Sequence, residues 1–318
     1  MIGIRLRQLR VFVAVAADGS VRAASKRLHL SQPAVSMSVS ELERQLGIAL
    51  FDRERGRLRL NQRGRELLPL ARDLLERAEK FERQASGGGG VLRGELRLGA
   101  SNTVGNYLVG ELLGRFIAAH PEVVVRLSVD NTDTIVRDVR EHKLDVGCVE
   151  GPVVGAELDT RAWRDDELAI CTRPNDTLAT RKRLRAEHFA GARWIVREPG
   201  SGTRAVSERV LDVLPAGEIV LELGQSEAIK QAVIAGMGIA CLPLVAIADA
   251  VSAGRIVALR TPFLDLRRRM SWVTRRAASQ DPLFDALVEQ AKPKAGTKAA
   301  KTVRLPRRVP SANRNRRG

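Results

Sequence analysis

Residues 20–64 read SVRAASKRLHLSQPAVSMSVSELERQLGIALFDRERGRLRLNQRG, and the spacing of polar and apolar side chains along this run decides the amino-terminal fold. Ser20, after Asp18-Gly19, and Ser31, after His29-Leu30, are natural N-caps. They place helices over Leu6 to Ala17, Val21 to Leu28 and Gln32 to Leu46, which is helix-turn-helix spacing. In the third helix Val35, Val39, Leu42 and Leu46 recur at intervals of four, three and four and face a core. Gln32, Ser36 and Ser40 fall on the opposite face, with Pro33 opening the first turn and Ser31 leaving amide N–H groups free for phosphate. Short donors and acceptors on an outward face are what approach to base edges in a major groove requires.

Beyond Gly47, Arg53, Arg55, Arg57, Arg59 and Arg63 surround Gly56 in a turn between two short extended pieces. This is a basic wing, whose guanidinium groups can hold phosphate or enter a narrow minor groove. Asn61 then caps a long helix in which Leu67, Ala71, Leu74, Ala78, Phe81 and Ala85 keep a heptad rhythm, the pattern of a dimer seam. SGGGG at 86–90 interrupts it as a flexible hinge.

Charge is distributed accordingly. The chain carries 53 Lys+Arg against 37 Asp+Glu, and the excess lies at its ends: 17 basic against 10 acidic residues in 1–90, 26 against 27 in 91–291, and 10 against none in 292–318. A basic end on a neutral body points to a polyanion, with nucleic acid ahead of an anionic membrane surface. Aromatic residues, at 3%, are too few for base stacking to be the reading mode. Cys148, Cys171 and Cys241 form no CxxC pair, so neither a disulfide framework nor a zinc site is expected. MIGIRLRQLR has no apolar leader core, and the uncharged run Ala232 to Ala248 is broken by Gly236, Gly238 and Pro243. Neither a secretory leader nor a membrane span is expected, and the expected location is the cytoplasm. Residues 292–318, rich in Lys, Arg, Pro and Ala, are expected to form a disordered basic tail.

From residue 91, β-like runs (ELRLGA, VVVRLSV, LDVGCVE, LAICT, WIV, IVLEL, GIACLP, RIVAL) alternate with helical stretches, which predicts a parallel-rich α/β domain. Two strand ends suit a small anion. ELRLGA runs into Ser101, Asn102 and Thr103, and WIV runs into REPGSGTR, which supplies Ser201, Gly202, Thr203 and Arg204 at a helix start. No nucleophile elbow, HExxH or Walker sequence occurs, and the four histidines lie in unrelated contexts. No catalytic residues, metal site or cofactor are therefore assigned.

AAxxLxxSQPAVS, then LExxLGxxLFxR, then the wing and the long helix together resemble the LysR-type transcriptional regulators, and the likeness continues over roughly residues 5–291. Asn61 stands where that family usually has threonine, and the tail lies outside the pattern. The resemblance implies a winged helix-turn-helix DNA-binding domain over 1–60, a linker and dimerisation helix with its hinge over 61–90, and a two-lobed effector domain like periplasmic binding proteins over 91–291. Lobe I would take 91–163 and 267–291, and lobe II 164–266. It further implies a dimer of dimers on promoter DNA, contact with RNA polymerase, and an effector in the cleft whose binding shifts the lobes and alters promoter bending. REPGSGTR with GASNTVGNYL is similar to the branch holding carbon-fixation and sulfur- or cysteine-metabolism regulators, which implies a small anionic effector such as a phosphorylated metabolite, sulfite or sulfate. Asn131, Thr132, Glu150 and Ser226 would complete the cleft, Glu150 as an orienting acceptor because its charge repels an anion. The competing expectation is a cytosolic small-molecule-binding or catalytic α/β protein with only non-specific nucleic-acid affinity.

Overall fold

The structure, a computed structural model, describes residues 3–54, 57–85, 91–276 and 281–292. The chain divides into two compact units at Arg93/Gly94.

The first unit begins with three helices, α1 (Leu6–Asp18), α2 (Val21–Arg27) and α3 (Gln32–Leu46). Ser20 Oγ accepts from Ala23 N at 3.1 Å and Ser31 Oγ from Ala34 N at 3.3 Å, so both N-caps form. Phe12, Val15, Ala24, Val35, Val39 and Leu42 are buried together as the core that fixes the angles between these helices. Strands β1 (Phe51–Glu54) and β2 (Arg57–Leu60) pair antiparallel as the wing, with Phe51 opposite Leu60. Glu43 Oε1 accepts from the backbone N–H of Leu50 at 2.7 Å and of Phe51 at 3.3 Å, which ties the end of α3 to the wing. Asn61 Oδ1 accepts from Gly64 N at 2.8 Å and caps α4 (Gln62–Ala85).

The heptad seam expected on α4 divides. Ala71 is buried, and Leu67 packs with it, against the helix-turn-helix core; Leu74 and Phe81 are exposed, as is Leu70. A stripe of this period serves either a neighbouring core or a second helix, and here its first turns serve the core. Arg55, Gly56, the glycine hinge 86–90 and the tail beyond Lys292 lie outside the described residues.

The second unit holds a seven-stranded sheet and a separate two-stranded one. The large sheet contains β3 (Gly94–Ser101), β4 (Val123–Asp130), β5 (Val146–Glu150), β6 (Leu158–Thr172), β9 (Ala240–Pro243), β10 (Val257–Ala258) and β11 (Arg267–Arg275). Its order is β10-β6-β11-β5-β3-β4, with β9 also on β6. The small sheet pairs β7 (Arg193–Arg197) with β8 (Glu218–Leu223). Helices α5 (Asn102–Tyr107), α6 (Val109–Ala119), α7 (Thr132–Arg140), α8 (Thr177–Thr180), α9 (Gly202–Val213), α10 (Ser226–Ile234), α11 (Leu244–Ser252) and α12 (Pro282–Ala291) complete it.

The large sheet is mixed where a parallel-rich one was expected. β3 is parallel to β4 and β5, whereas β6, β9, β10 and β11 pair antiparallel. Two long strands make the difference: β6 begins ten residues before the expected LAICT, and β11 was not anticipated at all. Their sequences, LDTRAWRDDELAICT and RRRMSWVTR, are dense in charge and poor in the apolar alternation that marks strands. The expected lobe boundaries, 163/164 and 266/267, fall inside β6 and at the start of β11. Separate apolar clusters lie on either side of this crossover: Ile135, Val139, Leu144 and Val149 form one, and Trp194, Val206, Val210 and Leu214 belong to another.

Gly64 offers a direct test of the first unit's packing. A Cβ there would lie 2.1 Å from the Leu50 carbonyl oxygen and 2.7 Å from Leu60 Cδ2. Gly64→Ala should therefore cost about 1–3 kcal/mol and lower the urea midpoint. Gly114→Ala in α6, where a Cβ meets nothing within 4 Å, should instead stabilise by about 0.5–1 kcal/mol.

Candidate functional site

On α3, Ser31, Gln32, Pro33, Ser36 and Ser40 are all exposed, opposite buried Val35, Val39 and Leu42. One face of one helix thus presents an amide and hydroxyls outward while the other holds the core. The wing brings the backbones of Arg53 and Arg57 into one antiparallel hairpin, one step out of register; their side chains, like Arg55, lie outside the described set.

The second unit gathers its polar residues at strand ends. β3 delivers Ser101, Asn102 and Thr103; β5 delivers Glu150; the β7–α9 turn delivers Ser201, Gly202 and Thr203; all seven are buried. Ser101 Oγ donates to Glu150 Oε2, and Thr103 Oγ1 donates to Glu150 Oε1 at 2.9 Å. Thr132 Oγ1 donates to the Glu150 carbonyl at 2.8 Å, fixing that residue's backbone as well.

At the middle of this set stands Arg268, on β11. Its Nη1 donates to Thr203 Oγ1 at 3.0 Å and its Nη2 to Thr103 Oγ1 at 3.1 Å, one hydroxyl from each side of the crossover. Nη1 lies 3.3 Å from Glu150 Oε1, Nη2 lies 2.7 Å from Asp166 Oδ2, and Nε donates to the same Asp166 oxygen at 2.8 Å. The Arg268 side chain is 3% exposed, Glu150 2% and Asp166 11%. Removing such charges from water costs several kcal/mol each, and only close pairing with extra hydrogen bonds offsets it.

Arg268 and Asp166 are the residues of this cluster that the sequence reading missed, and both sit on the unanticipated strands, directly opposite one another in register. A signal existed. Leu266, Arg268 and Met270 alternate inward while Arg267 and Arg269 point out, so an arginine occupies a core position of a two-residue period.

The other expected residues have other partners. Ser201 Oγ accepts from Thr203 N at 3.2 Å and Arg204 N at 3.4 Å, capping α9. Arg204 reaches Glu208, Glu222 and the Arg197 carbonyl instead of the Arg268 cluster. Ser226 accepts from the buried Arg197, which is otherwise paired with Glu198. Asn131 caps α7, accepting from Thr134 N at 2.9 Å. Asn102 Oδ1 is buried without a hydrogen-bond partner among the described residues. Gly202 passes so close to β5 that a Cβ would sit 2.1 Å from the Glu150 carbonyl oxygen, which only glycine allows.

Burial pushes all three thiols up, Cys241 to about 12, and the Glu150 carboxylate adds to the effect at Cys148, so these cysteines are held as thiols. Among the described residues there is no cluster of His, Cys, Asp and Glu able to hold a metal, and no helix is long and apolar enough to cross a membrane.

An α/β unit with a polar cluster at its strand crossover, preceded by a helix-turn-helix with a wing, defines the class of ligand-responsive DNA-binding regulators. Residues 6–65 match the bacterial regulatory helix-turn-helix protein, lysR family, and residues 89–296 match the LysR substrate binding domain. The chain belongs to the LysR family of transcriptional regulators. It is 40% identical over 268 residues to the uncharacterized HTH-type transcriptional regulator YeiE of Escherichia coli strain K12, covering 84% of this chain and 90% of that one. It is 32% identical over 289 residues to the RuBisCO operon transcriptional regulator of Allochromatium vinosum, covering 90% and 95%. Among solved structures, the CcmR regulatory domain of Synechocystis PCC6803 in complex with 2-PG is similar with a TM-score of 0.57 and 26% identity, covering 64% of this chain and 99% of that one.

Replacing Arg268 by Ala would leave Glu150 and Asp166 facing one another across a buried gap. Arg268→Ala should destabilise the second unit by about 3–5 kcal/mol, seen as a lowered denaturation midpoint for its tryptophan signal, since Trp163, Trp194 and Trp272 all belong to that unit.

Proposed function

We propose that this LysR-family regulator reads a two-fold promoter site with α3 and the wing, and that a small anionic metabolite bound at the Arg268 cluster gates its activity. The observation that carries the second half is the single guanidinium bonded to Thr103 and to Thr203, residues the sequence reading assigns to opposite lobes. A ligand oxyanion accepting from Ser101, Thr103, Thr203 and Arg268 would take the place the Glu150 carboxylate holds in this structure. Releasing that carboxylate changes the set of bonds joining the lobes, so ligand affinity differs between lobe arrangements and the ligand shifts their populations. The 2-PG held by the related CcmR domain supports a small molecule as the occupant.

In the first half, Gln32, Ser36 and Ser40 read base edges, Ser31 and Pro33 set the helix start against phosphate, and Arg53, Arg55 and Arg57 supply sequence-independent attraction. The regulator acts as a homo-oligomer, a dimer of dimers. Exposed Leu70, Leu74 and Phe81 on α4 support one contact, and exposed Val124, Leu127 and Val129 on edge strand β4 support another. It works in the cytoplasm beside RNA polymerase, and we assign it no reaction, metal or cofactor.

Gln32→Ala or Ser36→Ala should cost about 1–3 kcal/mol against the operator and spare random duplex; equal loss on both would count against base reading. Thr103→Ala and Thr203→Ala should abolish the effector response with operator binding intact. The ligand for that assay comes from a thermal-shift panel of sulfite, sulfate, sugar phosphates and carboxylates. Wild-type ligand affinity by calorimetry in these variants would refute the placement.

A further inference from the structure

We infer that Met37 is a specificity-determining residue that packs on the 5-methyl group of a thymine in the major groove, an inference that rests on α3 being the recognition helix. Met37 is 72% exposed, although it is large and apolar. Pro33, Ser36, Met37 and Ser40 are separated by three or four residues, so they form one continuous outward surface, and every one of them is exposed. Its other members end in short side chains, leaving the Met37 thioether to project furthest.

A solvated helix face would be served by any polar residue there; a long apolar side chain held in water gains nothing from the fold around it. Against DNA it does gain. Thymine is marked in the major groove by its methyl group, which makes no hydrogen bond and is recognised only by apolar contact. An unbranched, polarizable methionine adapts to such a target. Gln32, the residue suited to adenine, lies five positions earlier, about 7.5 Å along a helix rising 1.5 Å per residue. Five residues also turn about 140° round the helix, so Met37 and Gln32 address different base pairs.

The full chain is first used to enrich binding sites from a random duplex library, and the enriched duplex becomes the probe. Each thymine is then replaced by deoxyuridine, which keeps every hydrogen-bonding group and removes only the methyl. The wild type should lose about fourfold in affinity at one thymine per half-site, the weight of one buried methyl. Met37→Ala should lose a similar factor on the thymine duplex, become indifferent to that methyl, and keep its discrimination at the base pair read by Gln32. Wild-type indifference to every deoxyuridine, or a Met37→Ala protein as methyl-sensitive as the wild type, overturns the inference. Failure to enrich any sequence would overturn the recognition-helix reading itself, and the role of Met37 with it.

Discussion

A guanidinium sealed inside protein imposes its requirements on everything near it. Arg268 cannot shed its charge, so it must be met by carboxylates and by acceptors for its remaining N–H groups. Asp166 meets it from the facing strand, Glu150 from the end of β5, and the hydroxyls of Thr103 and Thr203 from the starts of two helices. Those four partners come from stretches of chain up to about a hundred residues apart. Satisfying one side chain therefore fixes where β3, β5, β6, β11 and α9 meet, and the crossover between lobes becomes a defined junction instead of a loose hinge.

The junction is also tight at the backbone. Gly202 lies against the Glu150 carbonyl, Asp133 N donates to the Gly200 carbonyl at 3.1 Å, and Thr132 holds Glu150 from the other side. Farther out, Tyr107 donates to Glu227 at 3.3 Å, joining α5 to α10. A cluster so densely packed does not deform smoothly; it keeps one bond set or exchanges it for another. In the proposed reading, a ligand competing for a few of these bonds acts on the arrangement of the lobes.

How much of this was legible beforehand follows from the range of the forces involved. The first unit is written in local signals. Ser20 and Ser31 cap helices, Val35, Val39 and Leu42 alternate at helical spacing, and Asn61 starts α4, each within a few residues of the feature it controls. The loops bearing Ser101 to Thr103 and Ser201 to Thr203 were readable for the same reason, because strand ends and helix starts are local. Arg268 and Asp166 were far less so, marked only by the two-residue period around Arg268. Their strands are charged because each charge is answered across the ladder, Arg268 by Asp166 and Arg269 by Asp165, and that pairing exists only once the strands are side by side. The division of the α4 stripe between the core and an exposed face was hidden likewise, since period alone does not name a partner.

Charge distribution constrains how the two units can communicate. Residues 1–90 carry an excess of seven positive charges, whereas 91–291 balance to within one, their surface arginines largely answered by neighbouring acids as in Arg126–Glu95 and Arg140–Glu157. Attraction to a polyanion therefore resides at the two ends of the chain, in residues 1–90 and in 292–318, the latter with ten basic residues and no acidic one. A small anion entering a neutral body alters its charge by one or two, and at cellular ionic strength that change is screened within about 8–10 Å. In the proposed reading the anion's effect is geometric, carried by the residues bonded to Arg268.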